Sequence, residues 1–328
     1  MKAIEVITTA RLHLGFYNFL ESNTAYGSIG VSIDRPVARV VVKPSKDLVV
    51  NNFTDVKVED VVELVTSKIG ISNIEINIYS AIPRHVGLGS TTQLSLAIAY
   101  AINKLFNLGY SIRDLAALLG RGLVSGIGTA AFEKGGFIVD SGRFLNNNKI
   151  LHEPKKGDDL PRVVYWAKLP RNWYFITIVP MNIQGLSERE EKRILSLPEK
   201  PPIEFQYELY KTLLLEMIPA ISERNAKKFG KALTKIQLLT GKYFSRHQQG
   251  IFCCKETETI VNLLLKYGVY GVGQSSWGPV AYGIIDDRKK ARIIMNNVLR
   301  ELNNKGIKEY MAFIAKPNNR GATVKVVG

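Results

Sequence analysis

Between Ile82 and Phe106 the chain reads Pro83-Arg84-His85-Val86-Gly87-Leu88-Gly89-Ser90-Thr91-Thr92-Gln93 and then turns strongly apolar. These residue types suit the binding of an anion. Gly87 and Gly89 let the backbone turn tightly and approach a ligand with no Cβ in the way. Ser90 and Gln93 have the spacing of a capping box that opens a helix. The unpaired N–H groups and the dipole at such a helix start favour a phosphate. Arg84 and His85 add donors, and the amides of Gly87 through Thr92, Leu88 and Thr91 included, line the expected loop. No Gly-Lys-Ser/Thr follows, so this is not a Walker loop.

Three other clusters offer chemistry. Ala10-Arg11-Leu12-His13-Leu14-Gly15 follows a short apolar strand over 3–10, and both Arg11 and His13 can donate to phosphate oxygens. A histidine that bonds a backbone carbonyl of the fold is the competing reading for His13. Gly120 to Asp140 contains Ser125, Gly126 and Thr129, and its Gly126-x-Gly128-x-x-Ala131 imitates a dinucleotide fingerprint. That fingerprint must follow a strand, and here a helix precedes it. Gly271 to Pro279 contributes Gln274 and Ser275. For a metal, Asp34 or Glu133 could supply a carboxylate, although an Asp before Pro36 equally suits a turn. Adjacent Cys253 and Cys254 have neither metal-ligand nor disulfide-framework spacing and read as small buried residues.

The elements that must position these residues follow from periodicity. Ile74, Ile76 and Ile78 alternate with Glu75, Asn77 and Tyr79, the period of a strand with one face in the core. The helix after the glycine loop is apolar on more than one side, so it belongs inside a domain. A helix is expected over 56–69, and Ser111 with Asp114 opens another that Gly120 closes. Val37 to Val42 reads as a strand. The polar and proline signals of Asp158 to Pro170 mark a crossing between domains, flanking a short strand at Val163 to Trp166. Beyond it come a strand at 173–179, helices at 204–217 and 222–239, a hairpin from Val269 with its turn at 273–278, a helix at 287–303 and a strand at 309–315. That β-α-β-β-α-β order is ferredoxin-like.

The chain has 328 residues, comfortable for two domains, with 46% hydrophobic and 22% charged residues, an ordinary globular composition. The first fifteen residues hold Glu5 and Arg11 where a signal peptide needs an unbroken apolar core, and the apolar run at Leu94 to Ile102 is too short to span a bilayer. A cytoplasmic protein with no membrane partner is expected. The formal charge is +15, of which residues 1–150 carry +3 (15 basic, 12 acidic). Such an excess attracts polyanions. No arginine block or aromatic-basic pattern favours nucleic acid, so a small anionic substrate is the expected partner, with a homodimer as the assembly to test.

The strings also carry a resemblance. Pro-x-x-x-Gly-Leu-Gly-Ser-Thr-Thr resembles the phosphate loop of the galactokinase, homoserine kinase, mevalonate kinase and phosphomevalonate kinase (GHMP) superfamily, whose usual form ends Ser-Ser-Ala. Ala10 to Gly15 resembles that superfamily's first motif, with Arg11 as the cation near the transferred phosphate and His13 in place of Asn. Ser125-Gly126-Ile127-Gly128 is similar to a Ser-Gly-x-Asp whose Asp is the base toward a substrate hydroxyl. Gly128 cannot take a proton, and loss of a general base typically costs ~100- to 10,000-fold.

Taken together over residues 8–142, and more weakly through Gly241-Lys242-Tyr243-Phe244, Gln248-Gln249-Gly250 and Gly271 to Pro279, the strings resemble the β-ribofuranosylaminobenzene 5'-phosphate synthases. The resemblance implies an α+β fold of two domains. Residues 1–168 would be like ribosomal protein S5 domain 2, residues 169–328 would be ferredoxin-like, and the site would lie between them. It also implies decarboxylative phosphoribosyl transfer from phosphoribosyl pyrophosphate to p-aminobenzoate, in tetrahydromethanopterin biosynthesis in archaea. Mg²⁺ on the pyrophosphate is expected from the substrate chemistry. An ATP-dependent small-molecule kinase on the same fold is the alternative, supported by the loop and opposed by Gly128.

Overall fold

The computed structural model describes residues 2–145, 154–183, 185–186, 188–248 and 250–328. The first layer is an eight-stranded sheet built on two long strands, β1 (Ala3–Glu21) and β2 (Thr24–Pro44), paired antiparallel along most of their length. Thus β1 does not stop at residue 10. Arg11 and His13 lie within it, opposite Ser32 and Gly30, and its register shifts between Thr9 and Arg11, between His13 and Gly15, and between Phe16 and Asn18. Such bulges bend a strand and re-aim its side chains. Gly30 keeps the pairing tight against a neighbouring helix, since a Cβ there would lie 2.1 Å from Ile127 Cγ2.

The sheet continues through β3 (Val49–Asn52) and β4 (Ile74–Ser80), and through the short β5 (Phe137–Asp140), β6 (Arg143–Phe144) and β7 (Val163–Ala167) beside β2. Helices α1 (Glu59–Ile69), α2 (Ser90–Phe106) and α3 (Ile112–Leu118) cover one face. Burying Leu96, Ala97, Ile98, Ala101 and Ile102 fixes α2 as a core element. Ser111 caps α3 by accepting from the Asp114 N–H. The helix α4 (Ile127–Glu133) begins at the imitation fingerprint and packs on β1 and β2, with no strand leading into it.

The capping-box expectation fails. Gly89 is the N-cap in the left-handed region (φ 80°), Ser90 is already helical, and no side chain caps the helix. The Gln93 amide turns inward instead, accepting from Thr8 Oγ1 and donating to the Gly128 carbonyl at 2.8 Å. It is fully buried, because it satisfies polar groups of β1 and α4 at once.

The second sheet is four-stranded, in the order β11 (Tyr310–Ala315), β8 (Tyr174–Pro180), β10 (Ala281–Ile285), β9 (Gly271–Gln274), all antiparallel. Between β8 and β9 come α5 (Glu188–Leu195), α6 (Ile203–Lys211) with a π-helical continuation at Thr212–Met217, α7 (Ile218–Ser222), α8 (Ala226–Phe244) and α9 (Lys255–Lys266). Helix α10 (Arg288–Asn304) precedes β11. The expected helix at 204–217 is therefore interrupted, and α4, α5 and α9 are elements that the periodicity reading omits.

Two corrections concern the division of the chain. From Lys316 onward it leaves the second sheet and returns to the first. Asp34 N–H donates to the Lys316 carbonyl at 2.8 Å, Asn318 N–H to the Ser32 carbonyl at 2.8 Å, and β12 (Thr323–Val327) pairs with β1 from Ala3↔Val327 to Ile7↔Thr323. The range 169–328 is thus not one ferredoxin-like unit to its end. One apolar core also runs from Leu12, Leu14 and Phe16 on β1 to Trp173, Phe229 and Leu233 of the second half, which joins the layers into one packed body.

Removing the Gln93 link should cost stability. Gln93→Leu leaves the Thr8 hydroxyl and the Gly128 carbonyl without their partner, at ~1–3 kcal/mol. A thermal melt is expected to show a midpoint several degrees below wild type; an unchanged midpoint would contradict the structural assignment.

Candidate active site

A cleft of about 950 Å³ opens between the two layers. Its first wall is the glycine loop. Gly87 (φ 96°) and Gly89 (φ 80°) both adopt backbone that L side chains rarely take, and a Cβ on Gly87 would lie 2.1 Å from the Ser275 carbonyl oxygen. Helix geometry leaves the N–H groups of Ser90, Thr91 and Thr92 without intrahelical acceptors, the first helical bond here being Gln93 N–H to the Gly89 carbonyl at 3.1 Å. All three residues line the cleft.

Arg11 reaches into the same wall. Its Nη1 donates to the Gly87 carbonyl at 2.5 Å, and its Nε is buried with no hydrogen-bond partner. An ideal Cβ on Gly89 would sit 3.2 Å from the Arg11 Nε and Cζ. Burial lowers the guanidinium pKa from its ordinary value to about 10, with Glu191 acting in the opposite sense, so Arg11 is cationic at neutral pH. A buried cation beside unpaired amides is a ready anion site.

His13 sits next to it, 6% exposed. Its backbone N–H donates to Ser275 Oγ at 2.9 Å, and its Nδ1 accepts from the Gly15 N–H at 3.3 Å, which places the proton of the neutral ring on Nε2. Burial first, and the Arg11 charge second, push its pKa down to about 3. His13 is therefore a neutral donor on the cleft wall, and it also makes a local backbone bond.

Most of the residues singled out in the sequence meet at this cleft: Arg11, His13, His85, Gly87, Gly89, Ser90, Thr91, Thr92, Ser125, Thr129 and Gln274. His85 takes a left-handed backbone (φ 58°), and its carbonyl accepts from Gly185 N–H at 3.0 Å. Five others support the walls from behind. Arg84 makes a bidentate pair with Asp60 at 2.6 Å and donates to the Lys57 carbonyl, fastening α1 to the loop. Leu88 is core, Gln93 bridges β1 and α4, and Gly126 donates its N–H to Asp140 Oδ2 at 2.7 Å. Ser275 is fully buried and donates to the Gly87 carbonyl at 2.6 Å while accepting from His13.

The carboxylates considered for a metal lie elsewhere. Asp34 accepts from Lys316 N–H at 2.9 Å and neighbours Arg35, and neither it nor the exposed Glu133 lines the cleft. Among the described residues no three His, Cys, Asp or Glu side chains form a metal-holding group. Cys253 and Cys254 lie with their sulfurs 3.2 Å apart against Thr257, off the cleft wall, Cys254 buried and Cys253 only partly so.

At the cleft and behind its wall stand residues to which the sequence reading assigns no role. Asp140, at the end of β5, is fully buried behind Ser125, accepting from Ser28 and Gly142 N–H through Oδ1 and from Gly126 N–H through Oδ2. Burial raises its pKa to about 7, against the pull of those donors. Lys155, Arg189 and Glu191 line the cleft, as do Phe16, Gln237, Thr240, Phe244 and Trp277. Phe244 fell within a string that carries the family resemblance, as did Gln248; Gln249 of that string lies outside the described residues. For α5 no motif gives notice.

Gly128 is on the wall, and a Cβ there would lie 3.1 Å from Thr92 Cγ2. The place where a carboxylate would start is thus crowded by the residue that stands where the usual loop has Ala.

A glycine loop at a helix start, an S5-like sheet with a ferredoxin-like partner and a shared cleft define a chain of the GHMP kinase type. Residues 56–136 match the GHMP kinases N terminal domain and residues 217–305 the GHMP kinases C terminal domain. Homoserine kinase from Cytophaga hutchinsonii superposes with a TM-score of 0.67 at 18% identity, covering 98% of this chain and 97% of that one. Galactokinase from Lactococcus lactis gives 0.67 at 15% identity, covering 98% and 95%. More specific are two relatives described as β-ribofuranosylphenol 5'-phosphate synthase. That of Methanothermobacter thermautotrophicus is 30% identical over 301 residues, 87% of this chain and 90% of the relative. That of Archaeoglobus fulgidus is 28% identical over 324 residues, 97% and 98%. The chain belongs to the β-ribofuranosylphenol 5'-phosphate synthase family, a synonym for the aminobenzene synthases named above, and is a transferase. Among the described residues no helix is long and apolar enough to cross a membrane.

Two outcomes follow from this geometry. Gly89→Val combines a strained backbone with a side chain driven at Arg11, and it is expected to weaken binding of inorganic pyrophosphate tenfold or more in equilibrium dialysis; wild-type affinity in a folded variant would exclude the loop as the anion site. For His13, the unfolded chain takes up a proton near pH 6.5 and the folded chain only near pH 3. Stability is therefore full above about pH 6.5 and falls as the pH drops toward 3. Between pH 7 and pH 5 this group removes about 2 kcal/mol, so the wild-type thermal midpoint should fall more steeply than that of His13→Gln, and parallel slopes would refute it.

Proposed function

We propose that the chain transfers the phosphoribosyl group of phosphoribosyl pyrophosphate to p-aminobenzoate with decarboxylation, giving β-ribofuranosylaminobenzene 5'-phosphate, CO₂ and pyrophosphate, a step of tetrahydromethanopterin biosynthesis. The observation that carries this reading is a phosphate loop and buried Arg11 facing a cleft whose kinase-base position is Gly128, in a member of this family. A hydroxyl acceptor would need a base there. A ring carbon activated by a para amino group does not.

The balance of the step is simple. The bond between ribose C1 and the pyrophosphate oxygen breaks, its electron pair leaving with pyrophosphate. The ring carbon bearing the carboxylate bonds to C1, and the carbon–carboxylate bond then breaks, its electrons restoring the aromatic ring as CO₂ departs. The amides of Ser90 to Thr92 and the Arg11 guanidinium are placed to stabilise charge on the leaving pyrophosphate. Beyond them, Lys68, Arg121, Lys155, Arg189 and Lys192 line the cleft against one carboxylate, Glu191, among the described residues. That balance suits a substrate with phosphates at both ends of the ribose.

Mg²⁺ belongs to the proposal as an ion carried by the substrate's phosphates, whose charge it would neutralise; among the described residues the cleft offers oxygen donors such as the Ser90 hydroxyl and no three-residue metal group, which suits that use and not a protein-built cage.

A second acceptor calls for the same test, because the relatives' alternative name refers to a ribofuranosylphenol, which has oxygen where the aminobenzene has nitrogen. The decisive experiment supplies phosphoribosyl pyrophosphate, Mg²⁺ and either p-aminobenzoate or 4-hydroxybenzoate labelled in the carboxylate. Release of labelled CO₂ from p-aminobenzoate is expected. Release from 4-hydroxybenzoate alone would move the assignment to the phenol, and release from neither, with robust ATP-dependent phosphorylation of a small alcohol, would replace it by the kinase.

A further inference from the structure

Part of the cleft wall is aromatic: Phe16 on β1, Phe244 on α8 and Trp277 after β9 line it together with the cations Arg11, Arg121 and Arg189. The rings pack on one another as a continuous wall: Phe16 and Phe244 have centroids 5.8 Å apart, Phe244 and Trp277 4.7 Å, and His13 meets Phe16 at 4.8 Å. A flat ring can pack against the open side of such a wall.

One polar side chain lies beside that wall. Gln237, on α8, is 6% exposed and lines the cleft. Its Oε1 accepts from the Gln274 backbone N–H at 2.8 Å, which fixes the orientation of the amide. Nε2 is thereby committed as a donor, and no acceptor among the described residues takes it. Thr240, one turn on, accepts from Phe16 N–H at 3.2 Å and holds the strand against the helix. An amide donor held in a fixed orientation on the cleft wall, with no protein acceptor among the described residues, is available to a ligand oxygen that displaces water from it.

We propose that Gln237 is a specificity-determining residue whose Nε2–H donates to an oxygen of an aromatic acid packed against the wall of Phe16, Phe244 and Trp277. The ligand class is a flat, para-substituted benzoate. This rests on the phosphoribosyl-transfer reading. Its physical sense lies in the reaction: a carboxylate locked to a cation is stabilised in the ground state and resists loss as CO₂, while a neutral donor orients the ring without that penalty. On this reading the glycine loop and Arg11 take the pyrophosphate and the aromatic wall takes the acid, with C1 of the ribose between them.

The test uses the full chain with Gln237→Glu, which keeps an acceptor for Gln274 N–H but replaces the donor, and Gln237→Met, which removes the donor without adding charge. Binding of labelled p-aminobenzoate is measured by equilibrium dialysis, KM for each substrate by steady-state kinetics, and folding by thermal melting. At least one variant folded at the assay temperature is expected to bind p-aminobenzoate tenfold or more weakly, with KM for phosphoribosyl pyrophosphate within twofold of wild type. Wild-type affinity in both folded variants overturns the role of Gln237 and leaves the proposed reaction standing. Equal weakening of both substrates, or loss of fold in both variants, makes Gln237 a structural residue and also overturns it. A wild-type chain that neither binds p-aminobenzoate nor releases its carboxylate removes the proposed reaction and this assignment together.

Discussion

The carbonyl of Gly87 is the point on which the cleft depends. It accepts from Arg11 Nη1 on β1 and from Ser275 Oγ on the hairpin of the second sheet, and Ser275 Oγ accepts in turn from the His13 backbone. Three segments distant in sequence are therefore fixed by one peptide group. The packing allows no side chain there: a Cβ on Gly278 would lie 2.1 Å from the Val86 carbonyl carbon, matching the 2.1 Å conflict at Gly87. Backbone touching backbone gives a rigid loop, so the amides at the start of α2 are aimed before any ligand arrives. Preorganised donors of this kind stabilise developing charge without reorganisation during the reaction.

From that constraint the chemistry divides. Arg11 lies against the loop because Gly89 leaves room for it, and its charge helps keep His13 neutral. Thr92 fills the space beside Gly128 where the related kinases begin a carboxylate. On the proposed reading, a kinase-like frame keeps an anion site and lacks, at Gly128, the carboxylate that would deprotonate an alcohol, while the adjoining aromatic wall offers a surface for a ring. One frame would then host a different bond-making step through exchanges at few positions, with function residing in the site and not in the fold.

Much of this was legible in the sequence, for identifiable reasons. The glycine loop, the buried character of α2 and the alternation of β4 are local signals, and the fold honours them. The reading of Ser90 and Gln93 as a capping pair failed because a left-handed Gly89 already starts the helix, which freed Gln93 to serve as a buried bridge. Arg84 looked like an anion ligand from its place beside the glycines; only Asp60, brought near by α1, shows otherwise. Asp140 closes one of the resembling strings without being marked there as a site residue, and Gln237 carried no motif. Their meaning comes from partners such as Ser28, Gly126 and Gln274, which no spacing rule brings together.

The return of the chain to its starting sheet has a consequence for how the protein is made. Ala3 pairs with Val327, and Ser32 and Asp34 pair with the segment around Lys316 to Asn318. On the ribosome β1 emerges first, yet one edge stays open until β12 has been synthesised. The second sheet, whose strands lie between Tyr174 and Ala315, has all its members before that moment. The order of completion is therefore reversed relative to the order of synthesis. An early strand of this length with an unfilled edge is the segment most exposed to mispairing while translation proceeds.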